Sequence, residues 1–325
     1  MSSQAQLSKI QKNIVIVGIL SISIVSWYFL FIMDSNMSSM NMDIPKVEMN
    51  MDSKTEMNMD SKTEMNMDSK TEMNMDSDNT SWLPNTYWMP PMDNNWGSND
   101  FYQLIMMWII MMIAMMSPSI IPAVLMFATV NQTKKKKNLH YTPTYIFYFG
   151  YLIAWILFSI GISIIQYPLH QVSLINPMMS SINNYLSGIV LVIAGIYQLT
   201  PYKNACLDKC RSPLSLVMTN WRDGNLGALR MGLGHGFYCV FCCWFLMAIL
   251  LVAGVMNLYF VVALTIFVLL EKLILTPESF EKTFQKLITR IPGVILIIVG
   301  IYSVSYTHLR AHETVLDLVC RLLLE

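Results

Sequence analysis

From residue 101 to residue 130 the chain carries no charged side chain. That is longer than the roughly 20 apolar residues a helix needs to cross the hydrocarbon core of a bilayer. In lipid a lone segment can satisfy its backbone polar groups only as a helix. Further apolar stretches lie at 13–33, 145–165, 185–199, 231–255, 258–270 and 291–303. The expected fold is therefore all-α: a polytopic helical membrane protein of about seven transmembrane helices. One is an N-terminal anchor within 1–33. The rest form a core bundle of about six within 101–303, the last of them truncated.

Composition narrows the function classes. Only 13% of the 325 residues are charged, against roughly 25% in a soluble domain. A disordered chain, a collagen-like chain and a secreted disulfide scaffold are excluded. A soluble enzyme is disfavoured, and no feature suggests nucleic acid as a partner. No catalytic serine motif, phosphate loop or paired-carboxylate site is present, so the reading is not an enzyme.

Charge sets the expected orientation. Lys9 and Lys12 precede the first span and Asp34 follows it. Lys134, Lys135, Lys136 and Lys137 follow the second span, Lys203, Lys209 and Arg211 the fourth, and 272–290 forms a basic loop. Placing these clusters on the cytoplasmic side puts the N-terminus inside. A signal peptide is the alternative for 13–33, but no small-residue cleavage site follows it, which favours an uncleaved anchor.

Residues 34–100 then fall outside. They hold 13 acids and four bases, and nothing in them can build a packed core, so a disordered arm is expected. The octad Met-Asn-Met-Asp-Ser-Lys-Thr-Glu starts at Met49, Met57 and Met65 and begins again at Met73. Met-x-Met pairs are formed by Met40 with Met42, Met49 with Met51, Met57 with Met59, Met65 with Met67, and Met73 with Met75. Thioethers are soft ligands that select Cu(I) over hard cations. The alternative is a repeat-expanded, solvated linker. Trp82, Tyr87, Trp88 and Trp96 suggest a return to the membrane surface.

Three further groups could carry chemistry. Met111 and Met115, and Met112 and Met116, are four residues apart and share helical faces. Pro118 and Pro122 should kink or open that helix. Ligation by Met111, Met115 and Met116 competes here with simple packing. Cys206 and Cys210 sit beside Lys209 and Arg211, a setting that favours thiolate. His235, Cys239 and Cys242 fall within about 60° on a helix, with Cys243 at the edge and Met247 one turn on. Together they could form a soft-metal site near the cytoplasmic face, or simply pack as small hydrophobes around a satisfied histidine. Glu271 either pairs with Lys272 at the interface or acts as a gating carboxylate.

Three ordered motifs carry a resemblance. They are Trp108 with Ala-Met-Met-Ser-Pro and Pro122; the stretch 197–213 with Cys206 and Cys210; and Gly232-x-Gly234-x-Gly236 leading through Cys239, Cys242, Cys243, Trp244 and Met247 to Gly254, Met256, Asn257, Glu271 and Lys272. Over about 101–290 the chain resembles a prokaryotic family of predicted metal-binding integral membrane proteins (domain of unknown function 2182), whose members are often labelled copper chaperones. The resemblance implies a helical membrane fold and bound metal, with copper as the candidate. The anchor and the methionine repeat lie outside it.

The combined expectation is a membrane protein that relays Cu(I), or another soft metal, from the methionine arm to the Cys/His group, with a copper-dependent membrane enzyme as a candidate partner. The alternatives are a thiol-redox membrane protein and a structural accessory subunit. Residues 304–325 resemble the in-frame translation of a sequencing-library adapter, so His308, His312 and Cys320 are not counted as ligands. The natural chain is expected to continue differently after Ser303.

Overall fold

The structure is a computed structural model that describes residues 2–42, 97–136, 142–171, 184–211, 221–254, 257–273 and 290–305. The candidate copper ligands of the methionine repeat lie outside these residues: Met49 and Met51, Met57 and Met59, Met65 and Met67, and Met73 and Met75. The aromatics Trp82 to Trp96, the loop 274–289 and residues 306–325 lie outside them as well. So do the side chains of Met40 and Met42, whose backbone belongs to the first helix.

Every regular element among the described residues is helical. The helices are α1 (Ser2–Met42), α2 (Ser98–Met116), α3 (Ile121–Lys136), α4 (Thr144–Gln171), α5 (Asn184–Leu199) and α6 (Pro201–Arg211). They continue with α7 (Asn225–Ala248), α8 (Leu250–Ala253), α9 (Leu258–Leu273) and α10 (Arg290–Ser305). Four stretches are long and apolar enough to cross a membrane: Lys12–Asn36 within α1, then α2, α4 and α7. Leu186–Leu199 and α10 are apolar but shorter. The protein is thus a helical membrane protein, and the count of seven spans rests on sequence alone.

The charge-free stretch from 101 is two helices rather than one. A 3₁₀ turn, Pro118–Ile120, separates α2 from α3. Proline has no amide hydrogen, so Pro118 cannot bond the carbonyl four residues back, at Ala114. An uncompensated buried carbonyl is costly. Helix α1 supplies the missing donors: Ser23 Oγ lies 2.9 Å and Trp27 Nε1 3.1 Å from the Ala114 oxygen. The anchor therefore packs as part of the bundle.

Small residues set the closest helix contact. Helices α4 and α7 approach so tightly that a Cβ on Gly232 would overlap the Phe147 carbonyl, and one on Gly236 would sit 2.6 Å from Ala154 Cβ. Gly150 on α4 faces the Leu229 carbonyl in the same way. Glycine stripes that let backbones meet are a recurrent means of joining membrane helices. Helices α5 and α10 meet likewise, through Gly195 against Gly293 and Gly188 against Gly300.

One end of the bundle is fastened by aromatic and polar contacts. Phe127 stacks between Phe147 and Trp221, with ring centroids 4.8 and 5.4 Å away. Lys134 lies 2.6 Å from Asp223 and 4.3 Å above the Trp221 ring. This pair is partly exposed, so its contribution to stability is small.

Candidate metal centre

Four elements converge on one buried group. The first is α7, on which His235, Cys239, Cys242, Cys243 and Met247 are all buried. The second is α6, which packs Cys206 and Cys210 against this core. The third is the C-terminal turn of α2, which brings in Met116. The fourth is the end of α9, which brings in Glu271 and Lys272. All five described cysteines are free thiols.

The sulfurs form a row. Cys210 Sγ is 3.9 Å from Cys242 Sγ, which is 3.7 Å from Cys243 Sγ. The Cys242 and Cys243 thiols both point at the Cys239 carbonyl, at 3.1 and 2.8 Å. The Cys239 side chain lies against Cys210, Cys242 and Cys243 as well. Its sulfur is 3.2 Å from the Tyr151 hydroxyl and 2.8 Å from the Lys272 ammonium. Lys272 also reaches Met116 Sδ, at 3.8 Å. Tyr151 bridges back to α2 through the Met116 carbonyl, 3.2 Å away. His235 stands beside the Tyr151 and Phe147 rings, and its buried Nδ1 has no hydrogen-bond partner. Among the described residues, no three His, Cys, Asp or Glu side chains already converge as a preformed metal cage.

Two sequence expectations change. Glu271 pairs with Lys203, 2.5 Å away, and accepts a hydrogen bond from Gln198 at 3.1 Å, rather than pairing with Lys272. Neighbours on a helix diverge by about 100°, so Glu271 faces α6 while Lys272 faces α7. Lys203 is fully buried; burial pushes its pKa down, and Glu271 pulls it partly back up. The second change concerns the α6 cysteines, where adjacent cations were expected to favour thiolate. Burial pushes the Cys206 thiol up, the charge of Cys242 adds to this, and Lys209 offsets only part. Cys210 is pushed up by its hydrogen bonds towards Cys239 and Cys242.

The Ala114 carbonyl is level with Ser23 and Trp27, the middle of the apolar Lys12–Asn36 stretch. Met116, the last residue of α2, comes two residues further along. Met111, Met112 and Met115 are buried in the same helix, of which Met116 is the one joined to Lys272. Lys272, Lys203 and Tyr151 were missed as members of the group. Two charged residues beside an apolar run, Glu271 and Lys272, were the one available signal. The repeat methionines Met51, Met59, Met67 and Met75, with their partners two residues earlier, fall outside the described residues.

Fold and site together define a helical membrane protein with a buried centre of thiols and thioethers. Residues 105–303 match the model of the PpoB2 family, described as copper chaperone, and the chain belongs to that family. Its role is accordingly copper-related. Searches of curated proteins and of solved structures found no match.

Proposed function

We propose that the protein takes up Cu(I) on the outer side of the membrane and relays it inward to the thiols of α6 and α7 for delivery to a partner. Copper is the cargo, and no catalytic step is involved. The observation that carries this reading is the row of free thiols Cys210, Cys242 and Cys243 inside the bundle. Metal–thiolate bonds of about 2.3 Å place sulfurs roughly 4 Å apart around a three-coordinate ion. The spacings of 3.9 and 3.7 Å are close to that. Rotating the Cys242 and Cys243 thiols away from the Cys239 carbonyl would turn the row towards a shared ion. Cys206, His235, Cys239 and Met247 are the reserve ligands around it.

In this reading the methionine arm is outside, where its acids concentrate cations and its Met-x-Met pairs capture them. The N-terminus is cytoplasmic, α1 is an uncleaved anchor, and the bundle counts seven spans. Met111, Met115 and Met116 carry the ion from thioether to thiol, with affinity rising along the way. The receiving partner is a copper-dependent membrane enzyme.

The test is metal content. The full chain, purified anaerobically in detergent after growth with copper and zinc, is compared with a Cys210→Ser/Cys242→Ser/Cys243→Ser variant. The expected result is bound copper that drops in the variant. Equal copper in both, or zinc alone held by the cysteines, overturns the reading. Thiol trapping separates the redox alternative: Cu(I) should protect these cysteines under reducing conditions, whereas a redox pair is protected by oxidation alone.

A further inference from the structure

A second group of sulfurs lies outside the thiol centre. Met33 on α1 and Met107 and Met111 on α2 line one small cleft, with Asp34 at its edge. Leu30, Leu258 and Val261 complete its walls. Met33, Met107 and Met111 are each at most 3% exposed, yet all three border open space. We propose that this cleft is a thioether entry site for Cu(I), where the ion first leaves the arm and enters the bundle.

The chemistry of the walls supports this occupant. Three neutral thioethers, aliphatic side chains and a single carboxylate are a poor match for a hard cation, which needs several oxygen ligands. A soft monovalent ion matches them. Ligation by thioethers requires no deprotonation, so the cleft can load without releasing a proton. The position fits as well. Met37, Met40 and Met42 follow Asp34 directly in sequence. Met107 and Met111 are one turn apart on one face, and five residues beyond Met111, about 7.5 Å of helix rise, comes Met116. Met116 reaches Lys272, which touches Cys239. The cleft thus stands between the arm and the thiol centre. The inference takes its cargo from the copper reading above and its location from this geometry.

The full chain in detergent is titrated anaerobically with Ag(I), and with Cu(I) against a competing chelator. Mildly acidic buffer is used, where protons oppose thiolate ligation. Met33→Leu/Met107→Leu/Met111→Leu keeps volume and apolarity, a swap that cores tolerate. It is expected to bind one ion fewer per chain, with the same number of alkylatable thiols. An unchanged number and affinity overturns the entry site. If the triple variant does not fold, Met33→Leu and Met111→Leu are read singly. Each should weaken this site by more than the roughly 10-fold lower bound for losing a mere outer-shell partner; unchanged affinity in both overturns it. The Cys210→Ser/Cys242→Ser/Cys243→Ser variant, run alongside at neutral pH, tests the thiol centre. Copper lost only there leaves the thiol centre standing without the entry site. Ions lost only in the methionine variant leave the entry site standing without the thiol centre.

Discussion

The Lys272 ammonium lies 2.8 Å from the Cys239 sulfur, with both residues buried on different helices. A cation at that distance makes a charge-assisted hydrogen bond to the sulfur. Ionisable groups within a membrane bundle are costly and are retained where they serve a site. Lys272→Met removes that cation and leaves the Cys239 sulfur without its partner 2.8 Å away. Losing a hydrogen-bond partner of a buried group costs about 1–3 kcal/mol. A fall in unfolding temperature in detergent, with loss of copper at the thiols, is expected. Unchanged stability and unchanged copper would show that Lys272 is a bystander.

Glu271→Gln should be nearly as damaging. It leaves Lys203, which is fully buried, without an anion 2.5 Å away. Replacing both partners, as Lys203→Met/Glu271→Leu, removes the uncompensated charge and should recover much of the loss. A double-mutant cycle by chemical denaturation measures this; additive losses would mean that the two residues do not act as a pair.

Helix α1 meets a need created on α2. Ser23→Ala and Trp27→Phe each remove one donor to the Ala114 carbonyl, at a cost of about 1–3 kcal/mol once the second is also gone. Pro118→Ala restores an amide that can reach Ala114 within the helix. In that background the Ser23 and Trp27 changes should become cheaper. Thermal unfolding of the single and combined variants reads this directly, and identical costs in both backgrounds would sink the explanation.

The glycines of α7 should divide sharply. Gly232→Ala pushes a methyl into the Phe147 carbonyl, whereas a methyl at Gly234 meets nothing within 4 Å. Overpacking costs typically about 1–3 kcal/mol, and here backbone rather than a flexible side chain must yield. Gly234→Ala should be neutral or slightly stabilising through its better helix propensity. Expression level and melting temperature of the two variants give the comparison.

The Cys206 thiol has its pKa raised by burial. Less of it is thiolate at neutral pH than of a free cysteine, so alkylation should be slower and should accelerate only at higher pH. Mass spectrometry of maleimide labelling across a pH series checks the sign. Labelling faster than free cysteine at neutral pH would contradict it.

Local periodicity made one part of the centre legible. The 3.6-residue repeat puts His235, Cys239 and Cys242 on one face, and α7 buries all three with Cys243 and Met247. The break at Pro118 was legible for a similar reason, since a missing amide is a property of one residue. Pairings across the chain were not. Glu271 and Lys203 are 68 positions apart, and the sequence offered the adjacent Lys272 as an equally good partner. Met33 and Met107 escaped notice because they belong to no Met-x-Met pair; only the packing of α1 against α2 brings them together. The role of α1 itself was hidden because a helix that is apolar on every side does not announce which side will be covered.

The hydrogen bonds to Ala114 bear on how this chain can be cut and compared. The family match begins at residue 105, while Ser23 and Trp27 lie far upstream of it. A fragment trimmed to the shared stretch would keep the ancestry and lose two donors from the layer directly above Met116. In that fragment the Ala114 carbonyl would need donors from elsewhere. Common descent and cooperative folding therefore draw different borders on this molecule.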